Sequence, residues 1–159
     1  MRGQGAEQLS SLLYISRSTI LPRNADASVT NIVAVSLARN VEHGVTGALL
    51  FTGQYFAQVL EGTDAMLDTI MASILRDERH RQILVVVRDP IAQRRFADWS
   101  LAYFGPSEFV SRHVTRLLDN PPLPASRRSA EWLNDLLWEF SHGGGVNSAR
   151  CNRYFINPA

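Results

Sequence analysis

Apolar and polar positions along this chain alternate between two periods, and the changes of period mark out its elements. LSSLLYIS (Leu9 to Ser16) reads as a first strand. LPRNADAS (Leu21 to Ser28) reads as a loop in which Asp26 or Ser28 caps a helix. Val29, Ile32, Val33, Ser36, Leu37 and Asn40 then recur at the one-sided spacing of an amphipathic helix, and Gly44 ends it. Two apolar runs from Val45 to Gly62 flank Thr52-Gly53, a hairpin signal. Thr63 and Asp64 open a second helix with Met66, Leu67, Ile70, Met71 and Ile74 on one face. ILVVV (Ile83 to Val87) is a β-branched strand, Pro90 breaks the chain, and FADWSLAYF (Phe96 to Phe104) is a fifth strand.

The order β-α-β-β-α-β-β contains the split βαβ pattern of an α+β, ferredoxin-like sheet, with two helices covering one face. Strand residues such as Leu13, Ile15 and Val59 need burial on the other face too. The C-terminal third supplies candidates. Phe109, Val110, Val114, Leu117 and Leu118 mark one helix, DNPPLP (Asp119 to Pro124) a break, and Trp132, Leu133, Leu136, Leu137 and Phe140 the stripe of a second helix over Ser126 to Phe140. The expected organisation is a domain over 9–104, a helical hairpin over 105–142 acting as a cap or subunit contact, and a flexible tail over 143–159 that starts at Gly143-Gly144-Gly145.

Composition narrows the function classes. A chain of 159 residues, 45% hydrophobic and 19% charged, suits one folded domain with an appendage. A net charge of +1 with scattered basic residues gives no nucleic-acid footprint, and QRRF (Gln93 to Phe96) reads as a solvated turn. The start lacks an apolar signal core and no apolar run reaches membrane-spanning length, so the expectation is a cytoplasmic protein with no membrane partner. Cys151 is the sole cysteine and is read as a free thiol. His43, His80, His113 and His142 lack metal-ligand spacing, so no metal site is expected, and neither a G-x-S-x-G nor a P-loop motif occurs.

The informative residues are polar ones on faces that ought to be buried. Alternation puts Leu12, Tyr14 and Ser16 on one face of the first strand, and Phe56, Gln58 and Leu60 on one face of the third. Asn40 lies on the apolar stripe of the first helix with Ile32 and Ser36. A phenol and two amides therefore converge between sheet and helices. They satisfy one another or the backbone, or they edge a site for a planar ligand with polar groups on its rim.

Five blocks occurring in order, Tyr14, ARNVEHGVTGALLF, FAQVLEG, RDERH and PIAQRRFADWS, resemble the BLUF domain, the blue-light sensor using FAD, over about residues 10–104. The resemblance implies FAD as cofactor, with FMN or riboflavin as alternatives, its ring slotted between the two helices. Carried over by position, Ile32 and Ile74 flank the ring and Asn40 bonds its polar edge. Gln58 lies between flavin and Tyr14, and Arg39 contacts the ring. Arg79 and His80 meet the ribityl or phosphate end, and Trp99 is the switchable tryptophan of the last strand. Leu101 stands where the family often has Met, and Arg39 where many members have Asn.

The resemblance further implies that Tyr14 donates an electron and a proton follows through Gln58, which ends rotated or tautomerised, so that the absorption shifts red. No substrate is turned over, so the chain is read as a receptor and not an enzyme. Its output then passes through the last strand and tail helices to an unidentified partner protein, in a homo-oligomer. Two alternatives remain: an acylphosphatase-like hydrolase using Arg39 and Asn40, and a BLUF-derived interaction module insensitive to light.

Overall fold

The computed structural model describes residues 7–97, 102–103, 112, 114–116, 125–141 and 154–155. Strand β1 spans Leu9–Ser18, helix α1 Ala25–Glu42, β2 Thr46–Phe51, β3 Tyr55–Thr63, helix α2 Asp64–Leu75 and β4 His80–Ile91. A two-residue strand β5 (Ala102–Tyr103), helix α3 (Ala125–Ser141) and a two-residue β6 (Tyr154–Phe155) complete the described elements. The sheet order is β4-β1-β3-β2-β5-β6. The four long strands pair antiparallel in the ferredoxin-like α+β arrangement expected from the sequence. At the β2 edge, β5 adds in parallel and β6 pairs with it antiparallel.

Local chemistry accounts for most boundaries. The Thr63 hydroxyl caps α2 by accepting the Met66 N–H, and Asp64 stands in the first turn. His43 closes α1 and Gly44 takes φ +62°, a conformation that costs glycine little. The start of α1 differs from expectation. It begins at Ala25, directly after a 3-10 turn over Pro22–Asn24, and Asp26 sits within its first turn with its charge near the positive helix end. Between β2 and β3, Gly53 has φ +91° and the Tyr55 N–H donates to the Thr52 hydroxyl, which closes the expected hairpin.

The fourth strand corrects the reading of Pro90. β4 runs through Pro90 to Ile91, with Pro90 opposite Ser10. Proline is tolerated there because β4 is the outer strand among the described residues, where no neighbouring described strand would receive the missing N–H. QRRF is also more than a solvated turn. Phe96 is 1% exposed, and Arg94 donates to the carbonyls of Glu61 and Gly44 and to the Thr46 hydroxyl. Of the expected fifth strand, only Ala102–Tyr103 is a strand among the described residues. Tyr154 and Phe155, within the expected flexible tail, form β6, and two aromatic residues are good strand formers.

Alternation gives the sheet two apolar faces. Leu12, Tyr14 and Leu60 pack under Leu67, Ile70 and Met71 of α2, while Leu49, Phe51 and Phe56 pack under Val29 and Val33 of α1. Leu13, Ile15, Ala48, Leu50, Ala57 and Val59 face the other way, against Phe96, Val114 and Leu133 and Leu137 of α3. The C-terminal segment thus covers the second face. Residues 114–116 are helical, and the rest of the expected first arm, apart from Arg112, lies outside the described residues. No helix among the described residues is long and apolar enough to cross a membrane.

Candidate functional site: a polar-ended slot between two helices

The register of β1 on β3 places Tyr14 directly opposite Gln58. Both are nearly fully buried, and the Tyr14 hydroxyl donates to Gln58 Oε1 at 2.6 Å. Burial pushes the Tyr14 phenol well above its ordinary value, and the charge of Asp77 adds to the effect. The phenol therefore keeps its proton throughout the physiological range and acts as the donor of this bond. The amide nitrogen of Gln58 makes no hydrogen bond to the described residues. That nitrogen lines the slot, where it is free to donate to a ligand acceptor.

The slot itself is lined by Tyr14, Gln58, Leu49 and Phe56 from the sheet, Ile32 and Ser36 from α1, Ile74 from α2, and Asp77, Arg79 and His80 from the turn into β4. Its empty space, the open side included, is about 360 Å³. A contiguous recess brings Arg39 and the buried Asn40 to Gln58, Ile70 and Ile74. The inner end thus carries two amides and a phenol, and the walls are apolar.

A neighbouring surface depression that shares Asp77 and Arg79 with the slot is lined by Val35, Ser73, three guanidinium groups (Arg39, Arg76 and Arg79) and two carboxylates (Asp77 and Glu78). Asp77 holds Arg79 at 2.6 Å, so its carboxyl titrates below the ordinary range, and Arg79 also donates to Asn31 Oδ1. His80 is fixed by the Ser16 hydroxyl at 2.7 Å and the Ile74 carbonyl at 2.8 Å, with its ring edge-on to Tyr14 and Phe56. A register shift in β4 beside Ser16, with Gln82 at φ +51°, accompanies this placement.

A flavin suits this donor set. Its carbonyl-bearing ring would meet the amides of Asn40 and Gln58, its benzenoid end the aliphatic walls, and a phosphate the guanidinium groups of Arg39 and Arg76 in the neighbouring depression. Eight of the nine residues singled out in the sequence line these recesses: Tyr14, Ile32, Arg39, Asn40, Gln58, Ile74, Arg79 and His80. Trp99, like Leu101, lies outside the described residues. Arg39 is exposed and stands at the rim.

Two residues escaped the sequence reading. Asp77 takes part in the slot, and its signal was the Asp-x-Arg spacing within RDERH. Glu61 is 2% exposed on β3, three positions after Gln58 and on the opposite face. Its Oε2 accepts the Phe96 N–H at 2.9 Å. Burial raises its carboxyl above the ordinary value despite the opposing pull of the Phe96 and Arg95 backbone N–H groups and of the Arg94 and Arg95 charges. The question raised by a polar residue on a buried strand applied to Glu61 as much as to Gln58.

Comparison with known proteins places the chain in a family. Residues 9–102 match the family model "BLUF: Sensors of blue-light using FAD". The photoactivated adenylate cyclase subunit beta of Euglena gracilis is 35% identical over 96 residues, 60% of this chain and 11% of that protein. The blue light- and temperature-regulated antirepressor BluF of Escherichia coli is 33% identical over 96 residues, 60% of this chain and 23% of that protein. The matched segment is thus a small part of these relatives. The dark-state structure of BlrB, a BLUF protein, superposes with a TM-score of 0.67 at 29% identity, over 84% of this chain and 98% of that one. The chain therefore belongs to the BLUF family, the sensors of blue light that use FAD.

Proposed function

We propose that this chain is a blue-light receptor whose Tyr14–Gln58 pair reports on a bound FAD and passes the change to its C-terminal helices, and through them to a partner protein. The observation that carries the reading is the 2.6 Å bond from a buried phenol to an amide whose other end lines a slot between two helices. The flavin supplies blue-light absorption and an electron-accepting excited state. Ile32 and Ile74 position the ring, Asn40 and the Gln58 nitrogen bond its polar edge, and Arg39, Arg79 and His80 hold its outer end.

Tyr14 would give an electron to the excited flavin and a proton along its bond to Gln58, and both would return as the charges recombine, so that Tyr14 ends unchanged. When Gln58 turns over, its donor and acceptor ends exchange, and the bonding of slot and β3 changes together. A change of one hydrogen bond is worth roughly 1–3 kcal/mol, enough for a partial population shift. No substrate is turned over. The 9–104 segment is the sensor and the 105–142 segment the output element. Relatives of the matched segment are named as a photoactivated adenylate cyclase subunit and a blue light- and temperature-regulated antirepressor, which supports a light-controlled output that differs from protein to protein.

Purified protein supplemented with FAD is expected to be yellow. Its absorption should shift red under blue light and return in darkness. A chain that binds FAD with an unshifted spectrum is an interaction module and not a receptor.

A further inference from the structure

We propose that Glu61 and Arg95 are the positioning residues that couple β3 to α3, so that a change at Gln58 reaches the C-terminal helix through the 94–96 turn. This rests on the reading of the chain as a receptor that relays through its C-terminal helices. Glu61 lies three residues beyond Gln58 on β3, about 10 Å along the strand and on the opposite face. Every residue from Tyr55 to Gly62 is buried, so the strand between them has close-packed neighbours on both sides. The buried Glu61 carboxyl holds the backbone of the next segment at the Phe96 N–H, 2.9 Å away, and Arg94 clamps the Glu61 carbonyl at 2.6 Å.

From the same turn Arg95 reaches α3. Its guanidinium pairs with Asp135 at 2.7 Å and lies 5.3 Å from the centre of the Trp138 ring, while Phe96 packs with Leu133 and Leu137. Hydrogen bonds, an ion pair and a ring contact thus run unbroken from the strand bearing Gln58 to α3. Burying a carboxyl merely to fix a turn is costly, and an apolar residue would fill the space without that cost. A carboxyl here makes the turn follow β3.

The test uses the full chain with FAD bound and reads two signals: the light-induced red shift, which reports the slot, and the light-minus-dark change in amide hydrogen exchange of α3, which reports the output. Glu61→Gln and Arg95→Ala should keep the red shift and the dark-state exchange of α3 while losing most of its light-dependent change. Arg95→Lys, which retains a charge for Asp135, should restore much of it. Because Arg95 is exposed, Arg95→Ala carries the test if Glu61→Gln does not fold. Variants whose α3 responds to light as the wild type does would overturn the proposal. So would loss of the red shift in Arg95→Ala, which would place the turn within the slot's chemistry. A wild-type α3 that ignores light while the red shift occurs refutes the relay itself, and the two failures are thereby told apart.

Discussion

The two faces of the sheet are built by the same strands and finished in opposite ways. On the α3 face, Leu13, Ile15, Val59, Phe96, Leu133 and Leu137 are each at most 1% exposed and meet side chain to side chain. On the α1 and α2 face, alternate residues of those strands deliver Tyr14 and Gln58 to a slot that the described residues leave open. Period-two alternation separates the two jobs at single-residue resolution: Val59 is core, and Gln58 beside it lines the slot. One face holds the fold together by its own packing. On the proposed reading the other is completed by the flavin, which would make the cofactor part of the core and expose the strands to whatever changes in the slot.

That contrast is breakable first on the packed face. Leu133→Ala should remove about 2–5 kcal/mol of stability, read by urea or thermal unfolding, because α3 cannot collapse onto the space left among fully buried neighbours. A loss confined to a few tenths of a kcal/mol would mean that α3 is not a structural part of the domain. On the slot face the large effect comes from the ligand. Free FAD at one hundred times its dissociation constant should stabilise the protein by about 2.7 kcal/mol. The same increment is expected in Leu133→Ala, since the sites lie on opposite faces. Ile74→Ala should weaken FAD binding while costing the unliganded protein less than Leu133→Ala does, because Ile74 is only half-buried.

The smallest effect concerns Glu61. Its carboxyl is raised in the folded protein, chiefly by burial, so folding favours its protonated form. Its contribution to stability is fully present below the ordinary carboxylate pKa and is lost as pH rises through the raised value. Unfolding measured across that window should show the wild type losing stability relative to Glu61→Gln. Parallel curves would show that Glu61 is not held against its charged form.

Much of this could be read from the chain, because two periods suffice for two layers. The stripe from Val29 to Asn40 and the parity of Tyr14 and Gln58 come from geometry alone, and the β1–β3 register makes the two residues face each other. The features that escaped depend on long-range placement. Pro90 looks like a break unless β4 is known to be the sheet edge. Glu61 reads as an ordinary acid at the end of a strand run unless the returning 94–96 turn is known to bring N–H groups to it. Arg94 and Phe96 read as solvated because their partners lie some 30 to 40 residues away in Glu61, Leu133 and Leu137.

The central claim is that the Gln58 carboxamide, bonded to Tyr14, is the element that changes when the bound flavin is illuminated. The most direct measurement is the light-minus-dark absorption spectrum of FAD-loaded Gln58→Leu, a side chain of similar bulk with neither donor nor acceptor. The account predicts a yellow protein with bound FAD and no red shift, whereas a red shift of wild-type size would contradict it.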